Sequence, residues 1–219
     1  AWRLSEDGIG LALGPRFVPV VPSAILFDLK NGGDKGWPEN PYPRLADAAY
    51  EALKANGADE ARCGLIGAGR GATAGAEAGG LGTASFTDAA TGLVVSAMVA
   101  VNSFGNRTPE AGGAPIVPGE IDLPKLGLIA GNTTIAIVAT NLTLDKAGAK
   151  RLAVMAQDGL ARTLRPIHTP FDGDTVFAVS TEGLRLEDAG LGVAASTMAV
   201  VGSLAADALA VAVGRAFER

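Results

Sequence analysis

A single histidine, His168, and a single cysteine, Cys63, occur among 219 residues. One cysteine excludes an intramolecular disulfide, so a reducing, cytoplasmic setting is expected. Cys63 lies in the apolar stretch Cys63-Gly64-Leu65-Ile66 and reads as a small buried hydrophobe. No cluster of metal-ligating side chains is apparent, so neither a metal nor another cofactor is expected. Aromatics make up only 5% of the chain, while there are 30 glycines. A core of such small residues must let backbones approach one another closely. Clustered basic residues are also scarce. Lys146, Lys150 and Arg151 read as a solvated helix face, and the net charge is −5 with a pI near 4.9. A nucleic-acid partner is therefore not expected, because phosphate binding needs grouped Lys and Arg. No basic, then apolar, leader opens at Ala1. The run from Leu191 to Val213 is apolar enough to raise a membrane span. Glu187 and Asp188 precede it, and it carries Ser196, Thr197, Ser203 and Asp207, so a buried, alanine-rich helix is expected and no membrane.

The length suits one sizeable core, and a single domain over residues 1–219 is the expectation. Phe17 to Val21 and Ala24 to Leu29 read as short buried strands. Lys30 to Pro43 reads as a loop, and Arg44 to Asn56 as a helix with Pro43 at its start and Gly57 at its stop. Further strands are expected at Cys63 to Ile66, Gly92 to Val101, Thr133 to Thr140 and Asp174 to Ser180. Gly67 to Gly82 is a small-residue segment, and Arg107 to Pro124 reads as an irregular linker. Thr143 or Asp145 can cap a helix running to about Arg162, and a long helix closes the chain. Strands and helices come in blocks, which fits a layered α+β αββα sandwich better than a doubly wound sheet.

Four segments could carry chemistry. Gly131-Asn132-Thr133-Thr134 stands just before the apolar run Ile135-Ala136-Ile137-Val138. If the bond between Asn132 and Thr133 breaks, Thr133 carries both a hydroxyl nucleophile and a free amine. An α-amine titrates at about 8, low enough to serve as base for its own hydroxyl, so no histidine is needed. Read locally, the same residues form an ordinary turn into a strand. Asp172-Gly173-Asp174 puts two carboxylates at i and i+2, able to hold an ammonium group, or simply to turn the chain. His168 lies beside them and reads as structural. Asn102, at the end of Val99-Ala100-Val101, can offer an amide to an oxyanion or cap a turn. Gly67-Ala68-Gly69-Arg70-Gly71-Ala72 loosely matches a dinucleotide-binding turn, the alternative from another class.

Taken in order, the segments resemble the L-aminopeptidase/D-esterase family of self-processing amidohydrolases. That family includes β-peptidyl aminopeptidases and the endo-type 6-aminohexanoate-oligomer (nylon) hydrolases, the latter being the closest branch by motif. The matching pieces are Val21-Pro22-Ser23-Ala24-Ile25-Leu26-Phe27-Asp28, Asn31-Gly32-Gly33-Asp34-Lys35, Gly67-Ala68-Gly69 with Gly79 to Ser85, Val101-Asn102, Gly131 to Thr134, and Asp172 to Thr175. The resemblance implies an αββα sandwich that begins before Ala1. It also implies cleavage at Asn132-Thr133 into fragments 1–132 and 133–219 that stay associated. Thr133 would be the nucleophile, Asn102 would serve the oxyanion, and Asp172 and Asp174 would balance the new ammonium. Gly67, Gly69, Phe27 and Thr134 would wall the site. The substrate would be a small amide or peptide, and the assembly a homo-oligomer. Three positions depart from the pattern. Ala76 stands where the nylon-hydrolase branch has a lysine, and Phe27 where some aminopeptidases have a tyrosine. Threonine stands where that aminopeptidase branch commonly has serine. A member that folds and binds without turnover is a further alternative.

Overall fold

The computed structural model describes residues 1–57, 62–108, 131–185 and 194–218. Most of the expected linker at Arg107 to Pro124, and Glu187-Asp188 with the run up to Val193, lie outside the described residues. Contacts divide the chain into two compact units: Ala1–Ile25 with Gly33–Ala61, and Leu26–Gly32 with Arg62–Arg219.

The first unit holds α1 (Trp2–Glu6), the antiparallel strands β1 (Leu11–Leu13) and β2 (Arg16–Val18), and α2 (Tyr42–Asn56). The helix α2 starts two residues before the expected Arg44. Proline occupies its first turn, and Gly57 ends it at φ +64°, as the sequence led one to expect. Asp7 accepts hydrogen bonds from Tyr50 (2.6 Å) and Lys54 (2.9 Å). The expectation of buried strands at Phe17 to Val21 and Ala24 to Leu29 is corrected. Only Phe17 and Val18 are paired, in an exposed hairpin, and Val20 and Ile25 are 89% and 83% exposed. Three-residue strands flanked by short elements offer no second layer to cover them, and none of the described residues of this unit is buried.

The second unit opens with a 3₁₀ turn at Gly67–Gly69. Then come β3 (Thr73–Ala74), β4 (Glu77–Ala78), β5 (Gly80–Thr87), β6 (Val94–Val101), β7 (Asn106–Arg107) and β8 (Ile135–Leu142). They are followed by α3 (Lys146–Thr163), β9 (Leu164–Arg165), β10 (Thr175–Leu184) and α4 (Ala194–Ala216). The main sheet has the order β10-β8-β6-β5. Only the β10–β8 pair is parallel. Alternation along β8 turns Ala136, Val138, Thr140 and Leu142 inward. There they join Leu152, Ala156 and Leu160 of α3 with Val201, Ala205, Leu209, Ala212 and Val213 of α4 in one core. The described residues of this unit therefore form one helix layer on one sheet, an α+β arrangement as expected.

Asp145 caps α3 by accepting from the Gly148 N–H (2.7 Å). As expected from its composition, α4 packs against this core, although it is long and apolar enough to cross a membrane. Its approach to the sheet depends on glycine. A Cβ on Gly82 would meet the Ala212 carbonyl oxygen at 1.9 Å, and one on Gly80 the Ala216 oxygen at the same distance. Two further expectations are corrected. Of the proposed strand Cys63 to Ile66, only Gly64 pairs, as a single bridge to Leu81. Conversely, β5 begins inside the small-residue segment Gly67 to Gly82 and runs on to Thr87, and it goes unexpected because glycines chosen for close approach carry no strand signal. The dinucleotide reading of Gly67 to Ala72 also fails. That fingerprint must open an α-helix after a strand, and here a single 3₁₀ turn leads into the β3–β4 hairpin.

Replacing Gly82 by alanine is expected to destabilise the chain by at least about 1–3 kcal/mol, since the clash is with helix backbone. Gly214, in the same helix layer with open space around its Cα, is the control. Gly214→Ala should stabilise by about 0.5–1 kcal/mol. Urea unfolding of both variants checks this.

Candidate active site

Pairing of β8 with β10 extends one step below the strands themselves, through a parallel bridge between Asn132 and Asp172. The Asn132 carbonyl accepts from the Gly173 N–H (2.9 Å), and the Thr134 carbonyl accepts from the Thr175 N–H (2.9 Å). This register sets Asn132, Thr133 and Thr134 beside Asp172, Gly173 and Asp174. Thr133 is 7% exposed and Thr134 fully buried. The Thr133 hydroxyl donates to the Asn132 carbonyl oxygen at 2.6 Å, so the nucleophile candidate lies against the peptide bond that joins it to Asn132. Gly173 leaves just enough room: a Cβ there would stand 3.1 Å from the Thr133 Oγ1.

Asn102 approaches from the end of β6. Its backbone carbonyl accepts the Thr133 N–H. Its fully buried side chain is committed elsewhere. The Nδ2 donates to the Phe27 carbonyl (2.9 Å), and the Oδ1 accepts from the Thr73 N–H (2.9 Å) and the Asn31 Nδ2 (3.1 Å). The structure thus brings Asn102 to Thr133 through its main chain.

Both carboxylates are held by several donors. Asp172 accepts from the Phe104 N–H (2.9 Å) and from the Thr169 N–H (3.0 Å) and hydroxyl (2.6 Å). Asp174, with a side chain only 3% exposed, accepts from the Thr134 N–H (2.9 Å). Its other oxygen takes the His168 N–H (3.2 Å) and lies 2.8 Å from His168 Nδ1. His168 adopts φ +55°, an uncommon conformation for a residue with a side chain. Burial lifts the Asp174 carboxyl above the usual carboxylate range. The Thr134 N–H opposes that, the Asp172 charge adds to it, and His168 opposes it again.

Other candidates lie outside this cluster or touch it indirectly. Phe27 contributes its carbonyl to Asn102. Gly69 is buried against the backbone of Gly80 and Leu81, and Gly67 is exposed at φ +51°. Ala76 donates its N–H to the Asn106 side chain (3.0 Å). Sequence reasoning missed Asn31, Thr73, Thr169 and the Gly173 N–H as members of the site, and left His168 as structural. Thr169 and His168 stand in the same short segment as the two aspartates, which was the available signal. The backbone donors leave no trace in residue type. Among the described residues, no group of three or more His, Cys, Asp or Glu is arranged to hold a metal ion.

Residues 5–219 match the family described as Peptidase family S58. An uncharacterized aminopeptidase of Mycobacterium bovis is 41% identical over 235 residues, covering 96% of this chain. The chain spans 66% of that relative's length. A 6-aminohexanoate-oligomer endohydrolase of Kocuria is 39% identical over 57 residues, 26% of this chain and 16% of the relative. The solved L-aminopeptidase D-Ala-esterase/amidase from Ochrobactrum anthropi superposes with a TM-score of 0.52 at 24% identity, over 71% of this chain and 44% of that one. Its structure is described as a variant of the Ntn hydrolase fold, and the likeness shows that this chain shares that fold. The resemblance read from the ordered motifs is borne out: the chain belongs to peptidase family S58.

Proposed function

We propose that this chain is a self-processing N-terminal-nucleophile amidohydrolase that cuts itself between Asn132 and Thr133 and then hydrolyses amide bonds with Thr133. The observation that supports it most directly is the Thr133 hydroxyl resting on the Asn132 carbonyl at 2.6 Å. In the first step the Oγ1 bonds to the Asn132 carbonyl carbon. The carbon–nitrogen bond then breaks, and the departing nitrogen takes up the hydroxyl proton. Water hydrolyses the resulting ester, leaving an Asn132 carboxylate, a restored Thr133 hydroxyl and a new α-amine. In turnover that amine, titrating at about 8, takes the hydroxyl proton as Oγ1 attacks a substrate amide. The substrate carbon–nitrogen bond then breaks, its nitrogen leaves as an amine with the proton that the Thr133 amine held, and water hydrolyses the acyl-enzyme ester on Oγ1.

The Asn102 carbonyl, which already holds the scissile N–H, keeps the new amine in place. The carboxylates of Asp172, whose residue bridges to Asn132, and of Asp174, which accepts from the Thr134 N–H, supply negative charge for its ammonium form. Asp174 is the more consequential of the two, because an ammonium beside it would offset the cost of burying its charge. Fragment association has a structural basis. The β6–β8 ladder and the packing of α4 on β5 and β6 both join residues on opposite sides of the cut. The substrate class is small amides and peptides, in keeping with an aminopeptidase and a 6-aminohexanoate-oligomer endohydrolase among the relatives, and the assembly is a homo-oligomer of the cleaved pair.

Mass spectrometry of purified protein should find two fragments meeting at Asn132 and Thr133. Thr133→Ala should give one inactive, uncut chain, and complete cutting of that variant would refute the reading. A panel of p-nitroanilide amides and a 6-aminohexanoate oligomer would identify the substrate.

A second expectation concerns pH. A carboxyl raised on folding binds its proton more tightly in the folded chain, so its ionisation destabilises the fold. Stability should therefore fall as pH rises from the unfolded value of 3.8 through the higher folded one. In the uncut Thr133→Ala background, adding Asp174→Asn should remove that fall. The urea midpoint of the asparagine variant should gain on its parent as pH rises through this window, and parallel midpoints would show that Asp174 is not the cause.

A further inference from the structure

The family resemblance gives the oxyanion to the Asn102 side chain, but none of the hydrogen bonds that side chain makes is to the Asn132 carbonyl. The Asn102 Nδ2 donates to the Phe27 carbonyl at 2.9 Å, and its Oδ1 accepts from Thr73 and Asn31. Phe27 has no side-chain donor to offer in its place. The oxygen of the scissile carbonyl nevertheless has a donor. The Gly173 N–H reaches the Asn132 oxygen at 2.9 Å, between the two aspartates that crowd the cut. This donor belongs to the backbone pairing of β8 and β10, so it is aimed before any reaction begins.

We propose that the Gly173 N–H is the oxyanion donor of this site, for self-cleavage and for turnover. The inference rests on the self-processing reading above. Its chemistry is as follows. When Thr133 Oγ1 bonds to the Asn132 carbon, the carbonyl π electrons move onto the oxygen that Gly173 already holds. When the carbon–nitrogen bond breaks, the carbonyl re-forms as an ester on Oγ1. The acyl-enzyme of turnover is the same kind of ester on the same oxygen atom. Its carbonyl oxygen comes to the place that Asn132 vacates, and the freed Gly173 N–H meets it there. A donor that is rigid and in place stabilises the developing charge without reorganisation. Glycine at 173 also keeps the space beside the nucleophile open, since a Cβ there would stand 3.1 Å from the Thr133 Oγ1.

The test replaces the Gly173 amide with an ester by putting glycolic acid at that position in the full 219-residue chain. The N–H gives way to an ester oxygen and the Asp172 carbonyl becomes a weaker acceptor, while every side chain is kept. The control is the same change at Thr175, whose N–H makes the next bond of the ladder, to the Thr134 carbonyl (2.9 Å). Self-cleavage of the 173 ester should slow by about 10²- to 10³-fold, the usual loss for one oxyanion donor. The 175 ester should cut at the rate of the unmodified chain, and kcat on a small amide should show the same split. Equal rates in the two esters would overturn the assignment while leaving self-processing intact. An unmodified chain that never cuts would overturn both. A second measurement does not depend on the esters folding. In the uncut Thr133→Ala chain, a through-bond NMR coupling between the Gly173 nitrogen and the Asn132 carbonyl carbon should be present, and its absence would refute the proposal.

Discussion

The parallel register of β8 against β10 is the constraint on which the site depends. It pairs Thr175 with Ile135 and continues down to Asn132 and Asp172. One rung therefore sets the Asn132 carbonyl on the Gly173 N–H, and its neighbour sets the Thr134 N–H on Asp174. Since side chains alternate along a strand, a slip of one residue would turn both aspartates to the opposite face. The same pairing builds half of the sheet and places the reactive groups. Fold and chemistry are thus specified by one set of backbone hydrogen bonds.

That register needs a stable sheet behind it, which α3 and α4 provide. Small residues let the helices come close: Gly80 and Gly82 admit the α4 backbone onto β5, and Gly159 of α3 admits the Ala206 carbonyl of α4. Few large side chains are then needed, and the aromatic poverty of the chain follows from the same geometry. Because β5 and β6 precede the proposed cut while β8 and α4 follow it, the core itself ties the fragments together.

Electrostatically, the site carries two carboxylates close to a bond that is uncharged in the intact chain. Several donors hold each one, yet Asp174 still sits above its ordinary range because burial outweighs the bonds it receives. Before cutting, this is a cost to the fold. Afterwards, an ammonium at Thr133 would turn it into an attraction. His168, at φ +55° and bonded twice to one oxygen of Asp174, helps to fix that carboxylate while its other oxygen accepts from the Thr134 N–H.

Much of this was legible in the residues. The helix at 42–56 announced itself by Pro43 and Gly57, and α3 by its Asp145 cap, because proline, glycine and caps act locally. Runs of apolar residues located β6, β8, β10 and α4. The order of Asn102, Asn132-Thr133 and Asp172-Gly173-Asp174 pointed to the site, since a nucleophile that supplies its own base needs only those side-chain types. Hidden from sequence were β5, whose glycines serve packing, and the exposure of Phe17 to Val21, which depends on what covers them. Only the tertiary structure decided that Asn102 reaches Thr133 through its main chain and that Gly173 reaches the Asn132 carbonyl. Backbone donors and acceptors are the same in every residue, and only the pairing of distant strands determines which of them meet.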